Sequence, residues 1–129
     1  MPGLKFQGIR PGAEVSYMFP VLFPRKNFTA SIERITEAMY AEVLSVDPIA
    51  LDEMCHVHPL FTEPAGRATA MAYRSRGDAS LPAYGLGTLP VAEKIAGELL
   101  ILPVHPALSE RDVDDIICAT RKVATAYLR

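Results

Sequence analysis

Apolar residues recur at helical spacing most clearly near the carboxyl end, where Val113, Ile116, Ile117, Thr120, Val123, Ala124 and Tyr127 mark one side of about four turns. Ser109 followed three residues later by Asp112 is a capping-box variant at its start, so the pattern predicts a helix over 110–128. A second stripe, Phe28, Ile32, Ile35, Met39 and Val43, has Glu33, Arg34, Glu37 and Glu42 on its other side. It predicts a helix over 28–45, capped by Asn27 and stopped by Asp47-Pro48, because a residue before proline avoids the helical region. Between and before these helices lie two strand-like runs. Val15 to Phe23 is β-branched and aromatic, and Pro20 within it must fall at a sheet edge or bulge because it has no N–H to donate. Leu99 to Val104 is too apolar to face water on either side and should be the most buried strand.

The middle of the chain has weaker periodicity. Residues 54–61, MCHVHPLF, read as an extended or turn segment, since His58 precedes Pro59. Ala65 to Ser75 is helix-friendly, and Arg74 to Leu81 is a polar loop around Gly77-Asp78. Mobility is expected across this middle. A short helix then opens at Pro90, where a missing N–H costs nothing, after a cap at Thr88 or Leu89, and stops near Gly97. Two apolar helix stripes and a doubly apolar strand need common cover. The expected class is α+β, a small mostly antiparallel sheet built from 15–23 and 99–104 with both long helices on one face. The terminal helix is the expected anchor of the fold, with Ile116 buried in it, so that Ile116→Ala should cost roughly 2–4 kcal/mol.

With 129 residues, the chain is long enough for one domain with its own core. Half of it is apolar and 22% is charged, which excludes a disordered tail, and a net charge of −2 with scattered basic residues gives no bulk attraction to nucleic acid. No apolar run is long enough to span a bilayer, and MPGLKFQGIRPG lacks the apolar centre of a signal peptide, so a cytoplasmic location is expected. Cys55 and Cys118 form no CxxC pair and read as free thiols.

Chemistry-bearing motifs are few. Cys55, His56 and His58 offer soft and imidazole ligands, but alternate residues on an extended segment supply only a pair, short of the four that structural zinc wants. No metal site is expected. Gly85-x-Gly87-x-x-Pro90 lacks the third glycine of a dinucleotide fingerprint. The serines include no Gly-x-Ser-x-Gly elbow. Asp112, Asp114 and Asp115 suit the positive end of a helix dipole and look structural.

The order of elements from Gly85 onward resembles the carboxyl end of the DegT/DnrJ/StrS family of pyridoxal-phosphate sugar aminotransferases. That family's pattern runs P-x-A-E, a short helix, L-S-L-P-x-H-P-x-L-S/T, then a terminal helix opening with acidic residues. Matching positions here are Pro90, Ala92 and Glu93, then Leu99 to Pro103, His105, Pro106, Leu108, Ser109 and Asp112 to Asp115. The aromatic strand around Phe19-Pro20 matches the family's Y-x-F-P-x. A segment like L-H-x-x-P-x-F/Y, which reaches toward the sugar pocket, is matched by His56, Pro59 and Phe61, with Met54 and Cys55 where the family tends to have Pro-Leu. After the first long helix the family has a Gly-Ile turn. Leu44-Ser45-Val46 stands here instead, so that turn should be built differently.

The resemblance implies a C-terminal small domain, residues 1–129, that helps form the keto-sugar pocket of a whole aminotransferase, with His56, His58, Phe61 and Tyr84 as substrate-pocket candidates. Its implied partner is the large pyridoxal-phosphate-binding domain. Removing that partner should expose apolar surface, leaving 48–85 mobile or the chain self-associating as a homo-oligomer. The alternative is a freestanding non-catalytic binding or regulatory module of the same fold. No catalytic or cofactor-binding residue is assigned. Neither Lys5, Lys26, Lys94 nor Lys122 lies in a segment like the family's lysine motif, and no phosphate cup is legible. Mixed with pyridoxal phosphate, the chain by itself should therefore develop no stable visible absorbance and transfer no amino group. Borohydride-trapped pyridoxal at one specific lysine, together with amino transfer, is the result that would refute this.

Overall fold

A computed structural model describes residues 1–14, 18–49, 51–66 and 84–129. The expectations for Val15 to Tyr17, and most of those for 65–83, lie outside the described residues. The chain divides into two compact units, residues 1–48 with 98–129, and residues 49–97.

In the first unit, four short strands form one sheet. They are β1 (Lys5–Phe6), β2 (Phe19–Leu22), β3 (Asp47–Pro48) and β4 (Leu99–Leu102), in the spatial order β1-β2-β4-β3. Every pairing is antiparallel, so the expected α+β class with an antiparallel sheet holds. Val21 lies opposite Leu100 and Leu22 opposite Leu99. The Leu99–Leu102 strand is buried almost throughout, with Leu100 fully covered, as its unbroken apolar composition requires.

Pro20 sits inside β2 without cost. The Phe23 N–H donates to the Glu98 carbonyl at 2.7 Å, so the odd positions of β2 bond to β4 and the even ones turn away from it. The Pro20 nitrogen therefore points to the β1 side, where β1 pairs only with Val21 and Leu22. The missing donor falls where the ladder has already ended.

Two helices cover one face, α1 (Ile32–Ala41) and a terminal helix spanning Glu110–Tyr127. Ile35 and Met39 from the first, and Val123 and Ala124 from the second, meet Val21, Phe23, Leu100 and Leu102 of the sheet in one core. The capping box of the terminal helix is formed as its sequence implies. Ser109 accepts from the Asp112 N–H, and Asp112 accepts from the Ser109 N–H at 2.8 Å.

Three details differ from the sequence reading. First, α1 is capped by Ser31, not Asn27. Residues Arg25–Asn27 form a 3-10 turn, and Phe28 is extended and bridges Leu128. The Thr29 N–H donates to Tyr127 O at 2.8 Å, and Arg129 N–H to Asn27 O at 3.0 Å. Both Asn27 and Ser31 are good caps; pairing with the far end of the chain decides between them. Asn27 instead donates from Nδ2 to the Gly3 carbonyl at 2.8 Å. Gly3 has φ 76°, and a Cβ there would come within 2.5 Å of Leu128.

Second, α1 ends at Ala41, well before Asp47-Pro48, which instead pair with β4. Val43 takes φ 63° and donates to Tyr40 O at 2.9 Å, and Leu44 N–H donates to Met39 O at 3.0 Å. These two bonds make a Schellman ending in which buried Leu44 folds back on buried Met39. This turn thus carries a β-branched residue in the left-handed region. Val43 leaves the apolar stripe and is 94% exposed.

Third, Ile116 is only partly covered, whereas Thr120, Val123 and Ala124 are buried, and Val113 and Ile117 are exposed. The anchor of the terminal helix is its second half, where Thr120, Val123 and Ala124 are buried.

Two stability outcomes follow from this packing. Val43→Gly should stabilise the protein by about 1 kcal/mol in denaturant melts, by relieving the left-handed valine. Val123→Ala should cost about 2 kcal/mol and Ile116→Ala less, because only the former empties a fully enclosed space. The opposite order would place the anchor back at Ile116.

Candidate functional site

The second unit, 49–97, contains all four sequence-predicted site residues. A 3-10 turn at Leu51–Glu53 leads through turns at 55–57 into a short helix, α2 (Pro59–Thr62), and after Tyr84 the chain enters α3 (Pro90–Ala96). Of the extended or turn readings of 54–61 the turn holds for 55–57, and the segment then closes into one helical turn that the sequence reading did not include. Proline at the first helical position supplies the needed φ, and His58 provides the cap.

Within this unit Glu53, Met54, Cys55, His56, Phe61, Tyr84 and Leu89 line an open cleft of about 480 Å³. The Phe61 and Tyr84 rings lie 5.5 Å apart at 60°, a tilted pair that forms an aromatic corner. Three of the four candidates, His56, Phe61 and Tyr84, are brought together. His58 is not part of the lining. It is exposed, and its Nδ1 accepts from the Leu60 N–H at 3.2 Å. His105 makes the same turn, with Nδ1 accepting from the Ala107 N–H at 3.1 Å. Both residues precede proline, and each imidazole caps the second N–H beyond itself, much as aspartate and asparagine do in turns.

His56 behaves differently. It is 4% exposed, and its Nε2 lies 2.9 Å from Glu93 Oε1. A carboxylate only accepts, so Nε2 carries the proton in this contact. Glu93 also accepts from Gly87 N–H, at 2.9 Å to Oε1 and 3.0 Å to Oε2, and from Leu89 N–H at 3.2 Å. One carboxylate therefore ties the 85–89 turn, the start of α3 and the buried histidine together. The Gly87 N–H, ahead of the contact with His56, holds the Glu93 carboxyl below its ordinary value of 4.5. Glu93 was legible only as the last residue of the P-x-A-E motif. Nothing in its spacing assigned it to His56, 37 residues earlier.

Among the described residues no group of three or more His, Cys, Asp or Glu side chains could hold a metal ion, and Cys55 and Cys118 are free and exposed. The cleft lining contains no lysine, Lys5, Lys26, Lys94 and Lys122 are all exposed, and Lys122 is held at 2.7 Å by Glu42. Among the described residues no helix is long and apolar enough to cross a membrane.

No protein-family model matches this sequence, and no curated protein matches it either. Among solved structures, the chain is similar to the crystal structure of an aminotransferase, TlmJ, from Streptoalloteichus hindustanus, with a TM-score of 0.55 and 23% sequence identity. The alignment covers 98% of this chain and 27% of that one. The fold is therefore that of part of an aminotransferase chain, and this chain spans about a quarter of its length.

The Glu93 cluster has a pH signature. Its carboxyl titrates below the ordinary 4.5, so its contribution to stability is complete above that value and is lost as pH falls through the lowered one. The protection factors of the Gly87 and Leu89 amides, taken against the intrinsic rate at each pH, should fall across that acid range. Glu93→Gln, whose amide can accept through one oxygen only, should show fast exchange at those amides already at neutral pH. Unchanged protection in the variant would count against the cluster.

Proposed function

We propose that this chain is the C-terminal small domain of a pyridoxal-phosphate sugar aminotransferase of the DegT/DnrJ/StrS type. It helps form the keto-sugar pocket of the whole enzyme, is not catalytic alone, and works in the cytoplasm. The observation that carries this reading is the fold likeness over nearly the whole chain to part of an aminotransferase. The motif order from Pro90 to Asp115 supports it, as does a cleft lined by the residues that the family segment points toward the sugar.

In this reading the cofactor and its lysine belong to the large domain, the partner of this chain. His56, Phe61 and Tyr84 furnish one wall of the pocket, and Glu93 is a positioning residue that fixes the His56 ring. An aromatic corner suits the apolar face of a sugar ring, and an imidazole edge suits its hydroxyls.

The test is to combine this chain with a separately expressed large domain of that family and measure amino transfer from glutamate to a keto sugar. Activity should require both parts. Phe61→Ala should lower kcat/KM for the keto sugar by about tenfold, the scale of a few lost apolar contacts. Amino transfer by the 129-residue chain alone, or an equal rate without it, would overturn the proposal.

A further inference from the structure

A second concavity lies within the first unit, formed by the segment after α1, Pro103, and the first turns of the terminal helix, which is α4 in chain order. Its volume is about 320 Å³. Leu44, Pro103, Leu108, Ile116 and Ala119 form an apolar floor, and Val43 stands beside them. Val43 is the unusual member. Helix ends of this geometry ordinarily take glycine, which meets no steric penalty at positive φ. Here the position holds a valine that adds nothing to the core and is 94% exposed. Its isopropyl group serves only the surface it lines.

The rim is acidic. Glu42, Asp112 and Asp115 all line the groove. Lys122 meets Glu42 at 2.7 Å, and Ser109 occupies one oxygen of Asp112. Asp115 has no hydrogen-bond or ion-pair partner among the described residues. An apolar floor beneath a net negative rim selects a partner that brings an aliphatic side chain next to a positive charge. A second copy of this chain, with net charge −2, is a poor electrostatic match.

We propose that this groove is a docking site for a basic polypeptide segment of another protein. One large aliphatic side chain inserts between Val43 and Ile116, and a flanking lysine or arginine meets Asp115. The strained valine is retained because a glycine there would leave the groove without one wall.

The probe is a fluorescein-labelled peptide of leucine and lysine in amphipathic order, titrated by fluorescence anisotropy. Its controls carry glutamate for lysine or serine for leucine. The wild-type chain should bind the probe and neither control, and added salt should weaken binding. Val43→Gly should bind about tenfold more weakly while melting at a higher temperature, which separates loss of the wall from loss of the fold. Asp115→Asn should weaken binding about threefold. Three outcomes would overturn the proposal: undiminished binding by Val43→Gly, equal binding of the glutamate control, or dimerisation in sedimentation with shifts confined to the groove amides.

Discussion

The central constraint in this molecule is the pairing of Val21 with Leu100 under two helices. Both side chains are fully excluded from water, and each such burial stabilises by about 1.5–3 kcal/mol relative to exposure. The remaining architecture of the first unit follows from keeping that pair covered. Ile35 and Met39 come down on it from α1, and Val123 and Ala124 from α4. The Phe28–Leu128 bridge and the bonds from Thr29 to Tyr127 then close the carboxyl end of the chain against the entry to α1. A helix that began at Asn27 would consume the extended Phe28 and break that closure.

A different device organises the second unit, which is built around a carboxylate. Glu93 gathers two backbone N–H groups and an imidazole N–H at one point. Turn 85–89 and segment 54–58 therefore keep their relation through hydrogen bonds to one side chain, with Ala96 the residue of α3 that is buried. Such an arrangement is stiff where the carboxylate is ionised and loosens when it is protonated. It presents an aromatic corner and a fixed histidine to the cleft.

Val43 shows local and global preferences in open conflict. Left-handed backbone at a β-branched residue is a genuine outlier, and outliers of this kind persist only where the surroundings impose them. The Schellman bonds of Val43 and Leu44, and the burial of Leu44 against Met39, supply that imposition. A sequence under selection for stability alone would place glycine there.

The sequence by itself determined the elements whose signals are local. The capping box at Ser109, the proline start at Pro90, the doubly apolar Leu99–Leu102 and the antiparallel α+β class were all legible, because caps, φ restriction and hydrophobic period act within a few residues. His56, Phe61 and Tyr84, singled out from the sequence as pocket candidates, line one cleft, and His58 does not. What tertiary structure alone decided were the choices between locally equivalent options. Ser31 over Asn27 as a cap, Ala41 over Ser45 as a helix end, Val123 over Ile116 as the more deeply buried residue and Glu93 as the partner of His56 all depend on residues 37 to 101 positions away or on which face meets the sheet. Propensity is degenerate at each of these points, and long-range contact removes the degeneracy.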